Sequence, residues 1–352
     1  VRRFVVQPPS AMEQNSRGVV QAFFRGGTAA RVGLWLGKPH ADTEVLYRHH
    51  YGVKDFEGVR QLLGDDCRWV MADEYYRHPR GAPMFDTYGG REKASHGQQG
   101  VFADAESIAD VEGYAWPEPQ HMDVEGLLQE LLHKRSFMRF SGCWSPFFHQ
   151  VADFFGMENY FIKMHTQPQI VEAVTDHVVS AYLAINERIF TACRGEIDAF
   201  FFGNDFGSQL DLMISPEMFD RFVMPYLKKL IDQAKRFDLP VMLHSCGAID
   251  RVIPRLIDGG IDALHPLQAK ARGMDAENLA RKYRGQITFV GGVDTQELLV
   301  HGTPHEVRRE VQRLKDLWGP RFVVSPSHEA LLPNVPPENC QALAEAALER
   351  KL

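Results

Sequence analysis

The feature that most constrains this chain is a rhythm. Short apolar runs, rich in aromatic and β-branched residues and closed by Gly, Pro or a polar residue, alternate with longer amphipathic stretches. The runs cover 31–36, 68–72, 138–142, 199–203, 240–245, 262–266, 287–291 and 321–325. Runs of that length and makeup read as buried parallel strands, and the stretches between them as helices. Eight strands alternating with helices predict an α/β fold, a (β/α)8 TIM barrel, with an open doubly wound sheet as the alternative. No repeat of 20–50 residues accompanies the rhythm. No domain boundary is visible either, so one domain over 1–352 is expected.

The helices carry their own punctuation. Ser215 followed by Pro216 and Glu217 is an N-cap, a first-position proline and a first-turn acid. Phe219, Phe222, Val223, Tyr226, Leu227 and Leu230 then recur at three- and four-residue steps, so one face packs inward. Starts of the same kind stand at Thr295 and Thr303, and 165–192 reads as a long helix. One stretch breaks the pattern. Residues 73–120 are rich in Gly, Pro, His and Arg with weak periodicity. Following the second strand, they predict an excursion over the barrel mouth, a lid or a partner-docking surface.

Composition narrows the function. Of 352 residues, 39 are basic and 46 acidic, a net charge of −7 that is a poor match for a non-specific nucleic-acid binder. No apolar run approaches a bilayer span, and residues 1–9 lack the pattern of a secretory signal. The cysteines at 67, 143, 193, 246 and 340 are odd in number and form no CxxC pair, which predicts free thiols in a reducing cytoplasm.

Chemistry in such a barrel sits at the C-terminal ends of the strands, and four of these are loaded. The fourth leads into Asn204, Asp205 and Gln209, and the fifth into His244 and Cys246. The seventh leads into Asp294, and the eighth into Ser327, His328 and Glu329. Polar residues there also cap helices and turns, so any single one is equally well a structural group. Two positions apart, His244 and Cys246 face one side, and zinc accepts both donors. His328, at the same mouth, is the expected third metal ligand. Asp205, flanked by Phe200–202 and Phe206, is expected in an apolar setting that raises its pKa, as a general acid, a grip for a cation or a further ligand. Asp73, Gln209, Gln268 and Asp294 are expected to contact substrate. Arg77, Arg80 and Arg91 could meet an acidic one.

At these residues the chain resembles the uroporphyrinogen decarboxylase superfamily, from about Arg31 onward. The likeness lies in Ile-Ser-Pro-Glu-Met-Phe-Asp-Arg-Phe-Val-Met-Pro-Tyr-Leu-Lys from 214, Leu-His-Ser-Cys-Gly from 243, Gly-Gly-Val-Asp from 291, and Ser-His-Glu-Ala-Leu-Leu-Pro-Asn-Val-Pro-Pro-Glu from 327. The resemblance implies a (β/α)8 barrel that is often dimeric, and two chemistries. One is metal-independent decarboxylation of a tetrapyrrole, which uses an arginine-rich N-terminal segment. Residues 34–44 hold no arginine, and a substrate with many carboxylates needs cationic partners. The other is cobamide-dependent methyl transfer, whose thiol-activating members hold zinc through an H-x-C motif matching His244 and Cys246. Those members add a cysteine where this chain has Ser327 and His328.

The sequence thus predicts a zinc-dependent methyltransferase-like enzyme. Zinc sits on His244, Cys246 and His328, while Asp205 and His328 act on the reactants. A methyl group passes between a small donor or thiol and a corrinoid (cobalamin) protein. Two alternatives stay open: a metal-independent decarboxylase of a uroporphyrinogen-like or smaller carboxylic acid, and a non-catalytic barrel binding a tetrapyrrole or corrinoid.

Overall fold

A computed structural model of the protein describes residues 16–95 and 97–349. Residues 1–9, read above for a leader, lie outside the described residues. The strands are β1 (Gly33–Leu34), β2 (Cys67–Met71), β3 (Met138–Gly142), β4 (Ala199–Gly203), β5 (Val241–His244), β6 (Ala263–His265), β7 (Thr288–Val293) and β8 (Phe322–Pro326). They form one eight-stranded sheet in the order β1-β8-β7-β6-β5-β4-β3-β2, every pairing parallel. Helices separate the strands, as a (β/α)8 barrel requires.

Alternation along each strand builds two cores. Outward residues such as Phe200, Phe202, Leu243, Leu264 and Val324 pack under the helices. Inward residues such as Phe140, Phe201, Met242, Ala263 and Val323 fill the interior with Trp35. Helix Ser16–Phe24 joins the interior cluster through Val19, Val20, Phe23 and Phe24. The Thr288 hydroxyl donates to the Phe23 carbonyl at 3.0 Å, fixing that helix beneath the start of β7.

The seam between β1 and β2 is closed without a strand ladder. The Asp66 N–H donates to the Leu34 carbonyl and its carboxylate accepts from the Leu34 N–H, both at 2.9 Å. The Asp65 carboxylate accepts from Leu36 N–H at 3.2 Å. Two aspartates therefore stand in for the carbonyls of a neighbouring strand, each paired with an arginine, Arg31 and Arg60.

Several expected boundaries shift for identifiable reasons. The helix begun at Ser215 splits into Pro216–Phe222 and Met224–Arg236. Pro225 has no N–H to continue the first ladder, and its ring displaces the preceding turn. The six apolar residues all face inward as expected. The long helix begins at Pro168 rather than 165, after a separate helix Met157–Thr166. Thr303 caps Pro304–Trp318 in a full capping box with Glu306. Thr295 is no cap: the Asp294 carboxylate takes the N–H groups of Gln296, Glu297 and Leu298 instead, and the helix runs over Leu298–His301.

The 73–120 excursion is not structureless. It folds back on helices Phe147–Phe155 and Pro168–Ala192 through aromatic contacts of Phe85, Phe102, Tyr114 and Trp116 with Phe154, Tyr182 and His177. All five cysteines are free, and all but Cys246 are buried. Among the described residues no helix is long and apolar enough to cross a membrane.

Candidate active site

The loops after β4, β5 and β8 meet at the C-terminal mouth. Gly207 and Gly247 bring the first two together: a Cβ on Gly247, whose φ is +89°, would lie 2.1 Å from the Gly207 carbonyl oxygen. Only residues without a side chain permit that approach, which lets the Asp205 carboxylate accept from Cys246 N–H at 2.8 Å. Gln268, from the loop after β6, braces the same turn by accepting from Gly247 N–H at 2.7 Å. His149, on the helix after β3, holds the Asp205 backbone, its Nε2 lying 3.2 Å from the amide nitrogen and 3.0 Å from the carbonyl oxygen. At the eighth strand, Lys38 N–H donates to the Glu329 carbonyl at 2.7 Å, tying that loop to the segment after β1.

These supports converge on His244 Nε2. Asp205 Oδ1 lies 3.2 Å away, Cys246 Sγ 3.5 Å and Glu329 Oε2 3.7 Å. Donors fall into two groups whose ligand atoms lie within 4.8 Å of one another: Asp205, His244 and Cys246, and then Cys246, His328 and Glu329. Cys246 belongs to both. An ion held at about 2.0–2.3 Å in a tetrahedron keeps its donors about 3.3–3.8 Å apart; the Cys246 and Glu329 spacings from His244 fall within that range and the Asp205 spacing lies just below it. Glu329 Oε2 is buried without a hydrogen-bond partner, an oxygen such an ion would satisfy.

The electrostatics follow from these contacts. Burial disfavours charge on Asp205, but the His244 imidazole and the Cys246 N–H hold its carboxyl well below the usual carboxylate range. This corrects the expectation of a raised pKa: burial is the largest single influence, but His244, the Cys246 N–H and His149 together outweigh it. Burial likewise opposes charge on His244, yet its contacts with Asp205 and Cys246 raise it well above an ordinary histidine. Asp205 is therefore an anion rather than a proton donor. Burial pushes the Cys246 thiol up, against the pull of His244.

The remaining expected residues divide. The Asp73 carboxylate accepts from the Trp144 N–H at 2.7 Å, and the Trp144 ring packs 5.2 Å from the His244 ring. Asp73 thus borders the cluster from the β2 side, with its carboxyl pushed up by burial to about 6. Gln268 supports the Cys246 turn from behind. Gln209 is exposed at the rim, its carbonyl accepting from Arg272 N–H. The Asp294 carboxylate is taken up by the backbone N–H groups of Gln296, Glu297 and Leu298 in the turn leading into the helix, with Lys270 at 3.7 Å. His328 Nδ1 accepts from Ala330 N–H at 3.1 Å. Arg77 and Arg91 donate to backbone carbonyls of their own excursion, and Arg80 is exposed. The sequence places Glu329 at the loaded eighth strand end without assigning it a role, and gives no role to His149 or His265. His265 ends an apolar strand and was hidden in it, although its place at a strand end was the available signal.

An eight-stranded parallel barrel with imidazole, thiol and carboxylate donors gathered at the strand ends defines the class of molecule. The family profile described as uroporphyrinogen decarboxylase (URO-D) matches residues 142–350, more than half of the chain, and the chain belongs to that family. Its relatives point two ways. A methylcobamide:CoM methyltransferase, MtbA, from Methanosarcina mazei is 26% identical over 104 residues, covering 30% of this chain and 29% of that protein. A uroporphyrinogen decarboxylase from Citrifermentans bemidjiense is 26% identical over 250 residues, covering 66% and 67%. One from Xylella fastidiosa is 28% identical over 193 residues, covering 51% and 48%. The match thus spans under a third of the first of these relatives and about half of the last. A solved methyltransferase from Methanosarcina mazei shares the fold, with a TM-score of 0.71 at 18% identity, covering 96% of this chain and 99% of that one.

Proposed function

We propose that this protein is a zinc-dependent methyltransferase-like enzyme that moves a methyl group between a small donor or thiol and a corrinoid protein. The observation that carries the reading is the set of donor spacings around His244 Nε2, with an orphaned carboxylate oxygen of Glu329 completing it. His244, Cys246 and Asp205 would hold the ion, with Glu329 and His328 on its open side. Bound there, zinc supplies a Lewis acid that lowers the pKa of an incoming thiol and makes it a nucleophile at neutral pH. The chain's own groups do the rest. Asp205 Oδ1 fixes the Cys246 turn, Gln268 braces it, and Trp144 covers one flank of the cluster beside Asp73. The 73–120 excursion, packed on the helices beside the mouth, is the surface offered to a corrinoid protein.

Metal analysis tests the reading. Protein purified from zinc-replete growth should carry about one equivalent of zinc, and Cys246→Ser should lose most of it. Less than about half an equivalent, unchanged in Cys246→Ser, would overturn it.

A second reading, metal-independent decarboxylation, is favoured by one observation, the Asp73 carboxyl that holds a proton to about pH 6 beside the mouth. Here Asp73, not the ionised Asp205, would be the proton donor. Full activity in chelator would select this reading.

A further inference from the structure

The Nδ1 atom of His244 faces away from the donor cluster and meets another imidazole, His265 Nδ1, at 2.9 Å. His244 and His265 are register partners in the β5–β6 ladder, so the pleat sends both rings into the barrel interior. His265 is 0% exposed and packs against Trp35 and Phe201, with ring centroids 4.9 and 5.4 Å away. Its Nε2 is buried and has no hydrogen-bond partner among the described residues. Two ring nitrogens that face each other bond only when one carries a proton and the other a lone pair. A metal ion on His244 Nε2 takes that atom's lone pair, so the proton of the neutral ring must sit on Nδ1 and be donated to His265.

We propose that His265 is the positioning residue for the metal-bound His244, its Nδ1 accepting the His244 Nδ1–H and thereby fixing tautomer and ring orientation. This rests on the zinc reading above. A metal-bound histidine commonly gives its second N–H to a carboxylate, a carbonyl or water; here a neutral imidazole in a dry aromatic pocket takes that place. Unlike a carboxylate, it adds no negative charge behind the ligand, and so leaves more of the ion's positive charge for a substrate. The remaining His265 proton lies on Nε2, which is buried beside the Trp35 and Phe201 rings without a conventional acceptor among the described residues.

Asparagine and leucine have the same number of side-chain heavy atoms and the same branching at Cγ, but only asparagine keeps an acceptor close to the Nδ1 position. Zinc affinity, read by competition with a chromogenic chelator, should fall about 10–100-fold in His265→Leu and recover most of that loss in His265→Asn. The visible spectrum of the cobalt(II)-substituted protein should shift in the leucine variant and return toward wild type in the asparagine one. Thermal unfolding of the metal-free proteins runs alongside, since a purely structural role would lower both variants alike and leave the two spectra unchanged. Zinc affinity in His265→Leu within about twofold of wild type, or equal losses in both variants, overturns the proposal. Should the leucine variant fail to fold, histidine 15N shifts of the zinc-loaded wild type decide instead. An unprotonated His265 Nδ1 supports the proposal, and a protonated one overturns it. A wild-type protein that takes up no zinc fails at an earlier step and overturns the metal reading itself.

Discussion

Burial and the Trp144 amide act in opposite directions on Asp73, and burial prevails, pushing its carboxyl up to about 6. Because the folded value exceeds the unfolded one of about 3.9, the folded protein binds this proton more tightly than the unfolded chain does. The associated stability is present at low pH and is lost as pH rises through about 6. Asparagine mimics the neutral acid and keeps the acceptor for Trp144. Asp73→Asn should therefore match wild type in thermal stability near pH 4 and exceed it above about pH 7; a gap independent of pH would contradict the assignment. Residues of this kind were only partly legible in the sequence. His244, Cys246 and Asp205 stand out because they follow apolar strands and differ in donor type. Glu329 becomes conspicuous only when its oxygen is found buried and unpartnered, which depends on the tie between its loop and Lys38. The pKa of Asp205 could not be read from its phenylalanine neighbours, since the decisive imidazole comes from another strand.

Among elements, the turn after β5 does the most to assemble the cluster. Gly247 adopts a left-handed backbone and lies against the Gly207 carbonyl, so any side chain there must push the two loops apart. Gly247→Ala should cost about 1–3 kcal/mol in unfolding free energy and lower zinc affinity at least about tenfold by moving Cys246 away from His244. Denaturant unfolding and chelator competition would read the two effects separately. The strands themselves were legible to within one or two residues, apart from β1, because eight buried runs had no other periodicity to follow. The run 31–36 predicts a longer β1 than the observed Gly33–Leu34, since on the β2 side its Leu34 and Leu36 amides go to aspartate side chains rather than to a strand. The helix broken at Met224 was hidden by an apolar stripe that continues through Pro225 with the right spacing.

At the scale of the whole molecule, stability and chemistry occupy opposite ends of the barrel. Helix Ser16–Phe24 packs Phe23, fully buried, into the interior cluster beneath the start of β7, far along the strands from the donor cluster at the mouth. Phe23→Ala should cost about 3–5 kcal/mol in chemical denaturation, yet leave the zinc affinity of the folded protein unchanged. The seam between β1 and β2 has a different consequence. Amides at the centres of β3, β4 and β5 are held by neighbouring backbone that moves only with its whole strand. Those of Leu34 and Leu36 are held by carboxylate side chains, which move with their arginine partners rather than with a strand. Deuterium from heavy water should accordingly enter the barrel wall first at these two positions, well before the centres of β3, β4 and β5. The cylinder then has a front side where it breathes, and Glu329 hangs beside it.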